Sequence, residues 1–434
     1  LTMPTNFIFI LADDLGHADL GCYGGRAPVS PHLDRMAADG LRFTQGYANS
    51  PVCSPTRFAL ITGRYQYRLR GAAEEPLTGR YRGDKVVGLP PEHPTLPSLL
   101  RGAGYRTALI GKWHLGYAPH FGPLLSGYDE HFGPMSGGVD YFTHTDLTGK
   151  PDLWRNGEPV TAHGYLTDLL SDAASRFVRR CGEDRQPFLL SLHYTAPHWP
   201  WETRDDEHLA GSLVGRIAHL QGGDIATYQR MIHHMDEGIG GVLAALADSG
   251  QADNTLVVFT SDNGGERFSD NWPLVGGKMD LTEGGIRVPT IARWPAGIRP
   301  GVTHQHCMTM DWAATMLDIA GVAPHPDFPL DGLSLRPVFA TPSQVIERHL
   351  FWRMKHRQQK AYRHGDWKWL QVDENDYLFN VARDARERAN QKAVEPARHA
   401  AMADAFARWE AEMPPIPDAA RAHLIYTDAD MPQR

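Results

Sequence analysis

The segment Cys53-Ser54-Pro55-Thr56-Arg57 combines a thiol, a proline two residues on and a guanidinium two residues further. A pattern fixed at three such positions arises by chance about once in fifty chains of this length. Pro55 suits the first turn of a helix, and the apolar Phe58 and Ile61 continue one. A cysteine just before such a helix sits at the positive end of its dipole, so the thiol is expected to face an anion site. A buried cysteine ahead of an ordinary helix is the plainer alternative. Oxygen donors gather in two other places. Asp13-Asp14 and Asp262-Asn263 supply carboxylate and amide oxygens with no histidine or cysteine beside them. That set suits a hard cation such as Ca²⁺ or Mg²⁺ better than Zn²⁺. One acidic pair at a strand end is usually solvated or caps a helix, but two strand ends together point to metal ligands. Arg57, Lys112, His114, His198 and Lys278 add concentrated positive charge, enough to cradle an anion. Taken singly, any of them would more often be surface charge.

These residues follow short apolar runs of strand length. Residues 6–11 lead into Asp13-Asp14, 107–110 into Gly111-Lys112-Trp113-His114, 188–192 into His193 and His198, and 255–260 into Asp262-Asn263. In open α/β sheets ligands bind beyond the carboxyl ends of the strands, so four clusters far apart in sequence can meet at one site. Helical patterns lie between the runs. Met231, Met235, Ile239, Val242 and Leu246 make one apolar stripe ended by Gly250, and Leu166, Leu169, Leu170, Ala173 and Phe177 make another before Pro187. The fold class is therefore α/β, and the methionines read as core. His193 falls inside its strand and reads as a core histidine. Trp199 and Trp201 flank His198 and fit either a leaving-group pocket or the core.

After residue 337 the texture changes to aromatic stretches at 350–352, 360–363, 367–372 and 377–380, followed by a helical segment with Met402, Phe406 and Trp409. A small antiparallel sheet with one helix is expected there, giving a division into 1–337 and 338–434. The chain carries 43 Lys+Arg against 51 Asp+Glu, a net charge of −8, so no global field attracts nucleic acid. No apolar stretch approaches the roughly 18 residues that cross a bilayer. Cys22, Cys53, Cys181 and Cys307 are too few for a disulfide scaffold and show no CxxC spacing. A cytoplasmic location is expected if Met3 is the natural start, and a periplasmic or secreted one if a signal peptide has been removed.

The chain resembles the type I sulfatases of the alkaline phosphatase superfamily. The resemblance rests on Cys53-Ser54-Pro55-Thr56-Arg57 together with Phe9-Ile10-Leu11-Ala12-Asp13-Asp14-Leu15-Gly16, Gly111-Lys112-Trp113-His114-Leu115-Gly116, Thr195-Ala196-Pro197-His198, Ser261-Asp262-Asn263-Gly264-Gly265, Gly276-Gly277-Lys278 and Gly365-Asp366-Trp367-Lys368-Trp369, in the family's order. It implies a large mixed sheet sandwiched by helices with a small C-terminal antiparallel sheet and helix. It implies that Cys53 is oxidised to Cα-formylglycine by a formylglycine-generating enzyme, and that residue 53 joins Asp13, Asp14, Asp262 and Asn263 around one Ca²⁺, with Mg²⁺ as the alternative.

Roles follow by the same resemblance. Asp262 takes the proton of the attacking hydroxyl, Lys112 and Lys278 stabilise the sulfuryl oxygens, and His198 protonates the departing alcohol. Arg57 positions the second hydroxyl and His114 deprotonates it. Ser136, in Met135-Ser136-Gly137-Gly138, matches a position on the nucleophile side. The implied reaction is hydrolysis of an aryl, alkyl or sugar sulfate ester, with selectivity expected from loops 72–87, 117–145 and 199–218 and from the C-terminal subdomain. A phosphonate monoester or phosphodiester hydrolase is the nearest alternative, and a non-catalytic sulfoglycan- or Ca²⁺-binding relative a more distant one. Oligomeric state is not legible in the sequence.

Overall fold

The computed structural model describes residues 3–212 and 222–424. The apolar runs become strands buried on both faces, which is why they read as continuous hydrophobic segments rather than alternating ones. In chain order these are β1 (Asn6–Ala12), β2 (Leu41–Tyr47), β3 (Arg106–Gly111), β4 (Glu130–Gly133), β5 (Trp154–Arg155), β6 (Glu158–Pro159), β7 (Phe188–His193), β8 (Thr255–Ser261), β9 (Thr290–Arg293) and β10 (Gly301–Met308). They form one sheet in the order β10-β2-β9-β8-β1-β7-β3-β4-β5-β6. The central strands β8, β1, β7 and β3 are mutually parallel, and β9 runs against them.

Period-two alternation sends the two halves of each central strand to different cores. Ile8, Ile10 and Ala12 of β1 pack under helices Pro31–Ala38, Leu166–Asp184 and Ile225–Asp248. Phe7, Phe9 and Leu11 pack on the opposite face under Cys53–Thr62, Leu96–Gly102 and Asp311–Ala320. Both expected apolar stripes are helices. The stripe ahead of Gly250 ends at Asp248, and Gly250 takes φ 70°, a left-handed conformation that suits glycine.

A second sheet, β11 (His349–Arg353), β12 (Lys360–His364), β13 (Trp367–Val372) and β14 (Asn375–Asn380), is antiparallel throughout. Helix Pro396–Ala411 covers it with Met402, Phe406 and Trp409. This sheet shares its apolar core with Tyr47, Val52, Cys53 and Met308 of the larger sheet's side of the molecule. The aromatic stretches after residue 337 therefore support the residue-53 end of helix Cys53–Thr62. No helix among the described residues is long and apolar enough to cross a membrane.

Candidate active site

The site is built where four parallel strands end level. Ala12 of β1 pairs with Ser261 of β8, and Leu11 of β1 and Gly111 of β3 both pair with His193 of β7. The chain leaves each strand tied to its neighbour. The Asp13 N–H donates to Ala196 O at 3.0 Å, that of Lys112 to His193 O at 2.9 Å, and that of Asp262 to Ala12 O at 3.1 Å. Asp14 sits at φ 65° and donates its N–H to Asp262 Oδ1 at 3.2 Å. Cys53 is the first residue of its helix rather than the residue before it, so its side chain and the helix N-terminus share one position.

Three cations neutralise the three carboxylates gathered here. Lys112 Nζ lies 2.5 Å from Asp13 Oδ2, Lys278 Nζ 2.7 Å from Asp14 Oδ2, and Arg57 Nη2 2.8 Å from Asp262 Oδ2. His198 Nε2 is 3.6 Å from Asp14 Oδ2. All of Asp13, Asp14, Cys53, Arg57, Lys112, His114, Ser136, His198, Asp262 and Asn263 are buried. The strand-end clusters expected to converge do converge. Residues 5–322 match the protein-family model described as Sulfatase.

The chain belongs to the sulfatase family. It is a sulfuric ester hydrolase of the alkaline phosphatase superfamily, similar over 80% of its length to N-acetylgalactosamine-6-sulfatase of Sus scrofa (35% identity, 68% of that protein). Arylsulfatase A of Homo sapiens is 33% identical over 80% of this chain and 70% of its own. The crystal structure of Ps i-CgsB in complex with k-i-k-neocarrahexaose superposes with a TM-score of 0.84 at 32% identity, covering 94% of this chain and 93% of that one.

In this sulfatase two histidines have defined tautomers, because a carbonyl can only accept. His114 Nε2 donates to Leu77 O at 2.6 Å, leaving Nδ1 buried and without a partner among the described residues. His198 Nδ1 donates to Trp199 O at 2.6 Å, so Nε2 is the atom that faces Asp14. Burial and then Lys278 pull His198 down to about 3, and burial with Lys112 lowers His114 strongly, so both rings are neutral in the free site. Burial pushes the Cys53 thiol up to about 11 despite Lys112 and Lys278, so a thiol and not a thiolate stands there. Burial beside Asp13 raises Asp262. Burial also acts to raise Asp14, but the Lys278 charge, with hydrogen bonds from Lys278 and Asn263, wins and lowers it.

The donor set fits a hard cation. Asp13 Oδ1 and Asn263 Oδ1 are buried with no hydrogen-bond partner among the described residues, an expensive state for an oxygen unless something positive faces it. Ligand atoms of Asp13, Cys53 and Asp262 lie within 4.8 Å of one another, as do those of Asp13, Asp14 and His198. Oxygen predominates in the cluster, which suits Ca²⁺ or Mg²⁺.

A pocket of about 720 Å³ opens above Cys53, with His114, Ser136, His198 and Lys278 on its wall. Trp199 lines it, whereas Trp201 packs edge-on against Phe268 at 4.7 Å with the Arg267 guanidinium over its ring. Ser136 accepts from Arg82 Nη2 at 3.2 Å, and its N–H donates to Asp152. Of the loops expected to select substrate, 72–87 and 117–145 supply wall residues. From 199–218 only Trp199 does so, and 213–218 lie outside the described residues. Segments 146–150 and 265–280 also line the pocket, and the C-terminal part contributes His423 and Leu424 rather than its sheet. Sequence reasoning missed Arg82 and Asp146, an ion pair at 2.6 Å on the wall. No spacing signals a pair 64 residues apart in irregular loops.

Proposed function

We propose that this chain removes sulfate from a sulfated carbohydrate, using a Cα-formylglycine made from Cys53 by a formylglycine-generating enzyme and one Ca²⁺, with Mg²⁺ as the alternative. The observation that carries the reading is Cys53 at the head of a helix, beneath a pocket whose wall holds Arg80, Arg82, Asp146, Lys150 and Arg267. Charged and hydrogen-bonding groups of both signs suit a polyhydroxylated anionic alcohol better than a steroid or a simple arene. The sugars named for N-acetylgalactosamine-6-sulfatase and for the neocarrahexaose complex of Ps i-CgsB support the same class.

Asp13, Asp14, Asp262, Asn263 and residue 53 would hold the cation, which supplies positive charge to nucleophilic and sulfuryl oxygens. A hydrated aldehyde at position 53 would supply two hydroxyls, one as the nucleophile toward sulfur and one as the proton donor whose deprotonation would release sulfate. Asp262 takes the proton of the attacking hydroxyl while Arg57 holds that carboxylate in place. Lys112 and Lys278 sit beside Asp13 and Asp14, ready to share their charge with the sulfuryl oxygens. His114 presents an unpaired Nδ1, the atom a general base needs. His198 presents Nε2 to the leaving oxygen and receives its proton as the anionic ester arrives. Ser136 borders the substrate on the Arg82 side. We assign this chemistry to residues 1–337 and treat 338–434 as a smaller unit that buttresses it.

The test is peptide mass spectrometry of active protein with a substrate panel. The Cys53 peptide is expected partly as aldehyde or hydrate, Cys53→Ala is expected to show no turnover, and sulfated sugars are expected to exceed aryl sulfates and phosphonate esters in kcat/KM. Full activity in Cys53→Ala protein overturns the nucleophile. A preference for phosphonate esters overturns the substrate class.

A further inference from the structure

A large exposed aromatic ring stands one residue beyond the pocket wall in sequence. Trp272 keeps 59% of its surface in solvent and packs into none of the three apolar cores. It follows Asn271, which lines the pocket. The segment is tied down: Asn271 Oδ1 accepts the Gly265 N–H at 3.2 Å, and Nδ2 donates to Gly265 O and Gly276 O, both at 3.1 Å. The Trp272 N–H donates to Asp270 Oδ1 at 3.0 Å. Arg386, exposed in the segment after β14, places its guanidinium 4.9 Å from the indole centroid. Among the described residues no carboxylate lies within ion-pair distance of Arg386.

We propose that Trp272 and Arg386 form a second sugar subsite, which takes the pyranose ring next to the sulfated one and an oxyanion, sulfate or carboxylate, carried by that ring. The inference rests on the carbohydrate reading of the pocket. A chain longer than the pocket can hold has to leave past its wall, and Asn271, next to Trp272, is part of that wall. The C–H face of a pyranose stacks on an indole, and removing both from water is favourable. The guanidinium stays planar against the ring by cation–π attraction and keeps its N–H groups for an oxyanion. Among the described residues no carboxylate competes for them.

The experiment compares kcat/KM on sulfated galactan and glycosaminoglycan oligosaccharides of one to six rings, with the adjoining ring either neutral or anionic. Wild-type protein is expected to gain about tenfold on passing from one ring to longer chains, and Trp272→Ala to lose that gain. Arg386→Ala is expected to reduce the gain only where the adjoining ring is anionic, and added salt to mimic it. An anionic preference for sulfate over carboxylate, or the reverse, identifies the oxyanion. A length dependence identical in wild type and Trp272→Ala overturns the subsite, whether or not both values fall together. Turnover of aryl sulfates with none on any sugar overturns the carbohydrate reading instead.

Discussion

Gln359 Nε2 donates to the Met279 carbonyl at 2.8 Å, one residue past Lys278. The same side chain accepts the Leu281 N–H through Oε1 at 2.8 Å, so an amide from the turn between β11 and β12 clamps the backbone that carries Lys278. Met279 is at φ 75° and donates its N–H to Pro51 O at 2.8 Å, close to residue 53. The C-terminal sheet thereby fixes a lysine of the candidate site without touching the pocket. Replacing Gln359 by Ala leaves two buried backbone groups unpaired and is expected to cost about 1–3 kcal/mol of stability. It should also lower kcat/KM about tenfold, mainly through KM, as Lys278 loses its fixed position. Urea denaturation and steady-state kinetics check both, and unchanged kinetics would show that the clamp is structural only.

Removal of metal provides a second expectation. Asp13 Oδ1 and Asn263 Oδ1 have no partner among the described residues, so chelation should abolish activity and lower Tm. Ca²⁺ or Mg²⁺ should restore both better than Zn²⁺. Elemental analysis of active protein that finds no metal, or only zinc, would refute the ligand set.

His198 should matter in proportion to how badly the leaving oxygen needs a proton. A general acid contributes about 10²- to 10⁴-fold, and nitrophenolate departs readily without one. His198→Ala is therefore expected to lose far more kcat/KM on a sugar sulfate than on 4-nitrophenyl sulfate. Equal losses on both would make His198 a sulfate-binding residue and leave Lys278 as the candidate that assists departure.

Glu75 makes stability depend on pH. Burial raises its carboxyl to about 7, although the Lys355 and His356 N–H groups donate to it at 2.7 and 2.9 Å. Between its ordinary value of 4.5 and about 7 the folded chain holds a proton that the unfolded chain has released. Stability should thus fall as pH rises through that window. Glu75→Gln removes the titration and should flatten the slope, while its amide nitrogen cannot accept one of the two N–H groups and so lowers stability at pH 5 relative to wild type. Denaturation midpoints measured at pH 5 and pH 8 decide it.

The strands and the placing of the candidate site residues at their ends were legible because both are local. An apolar run such as 6–11 can only be buried, and the polar residues that follow it must lie at the strand's end. The same locality placed Cys53 at a helix start and the aromatic stretches after 337 in a small sheet. Pairing was not legible. Asp13 takes Lys112, Asp14 takes Lys278 and Asp262 takes Arg57 across separations of 99, 264 and 205 residues. Any of those cations could have served any of those acids until strand order and rotamers were set. Trp199 and Trp201 look equivalent in sequence, yet one lines the pocket and the other packs on Phe268. The clamp of Gln359 on Met279 and the Arg386 stack on Trp272 likewise join the C-terminal part to loops more than 75 residues away. Periodicity and propensity act over a few residues, whereas contacts of this kind exist only after the chain has closed its longest loops.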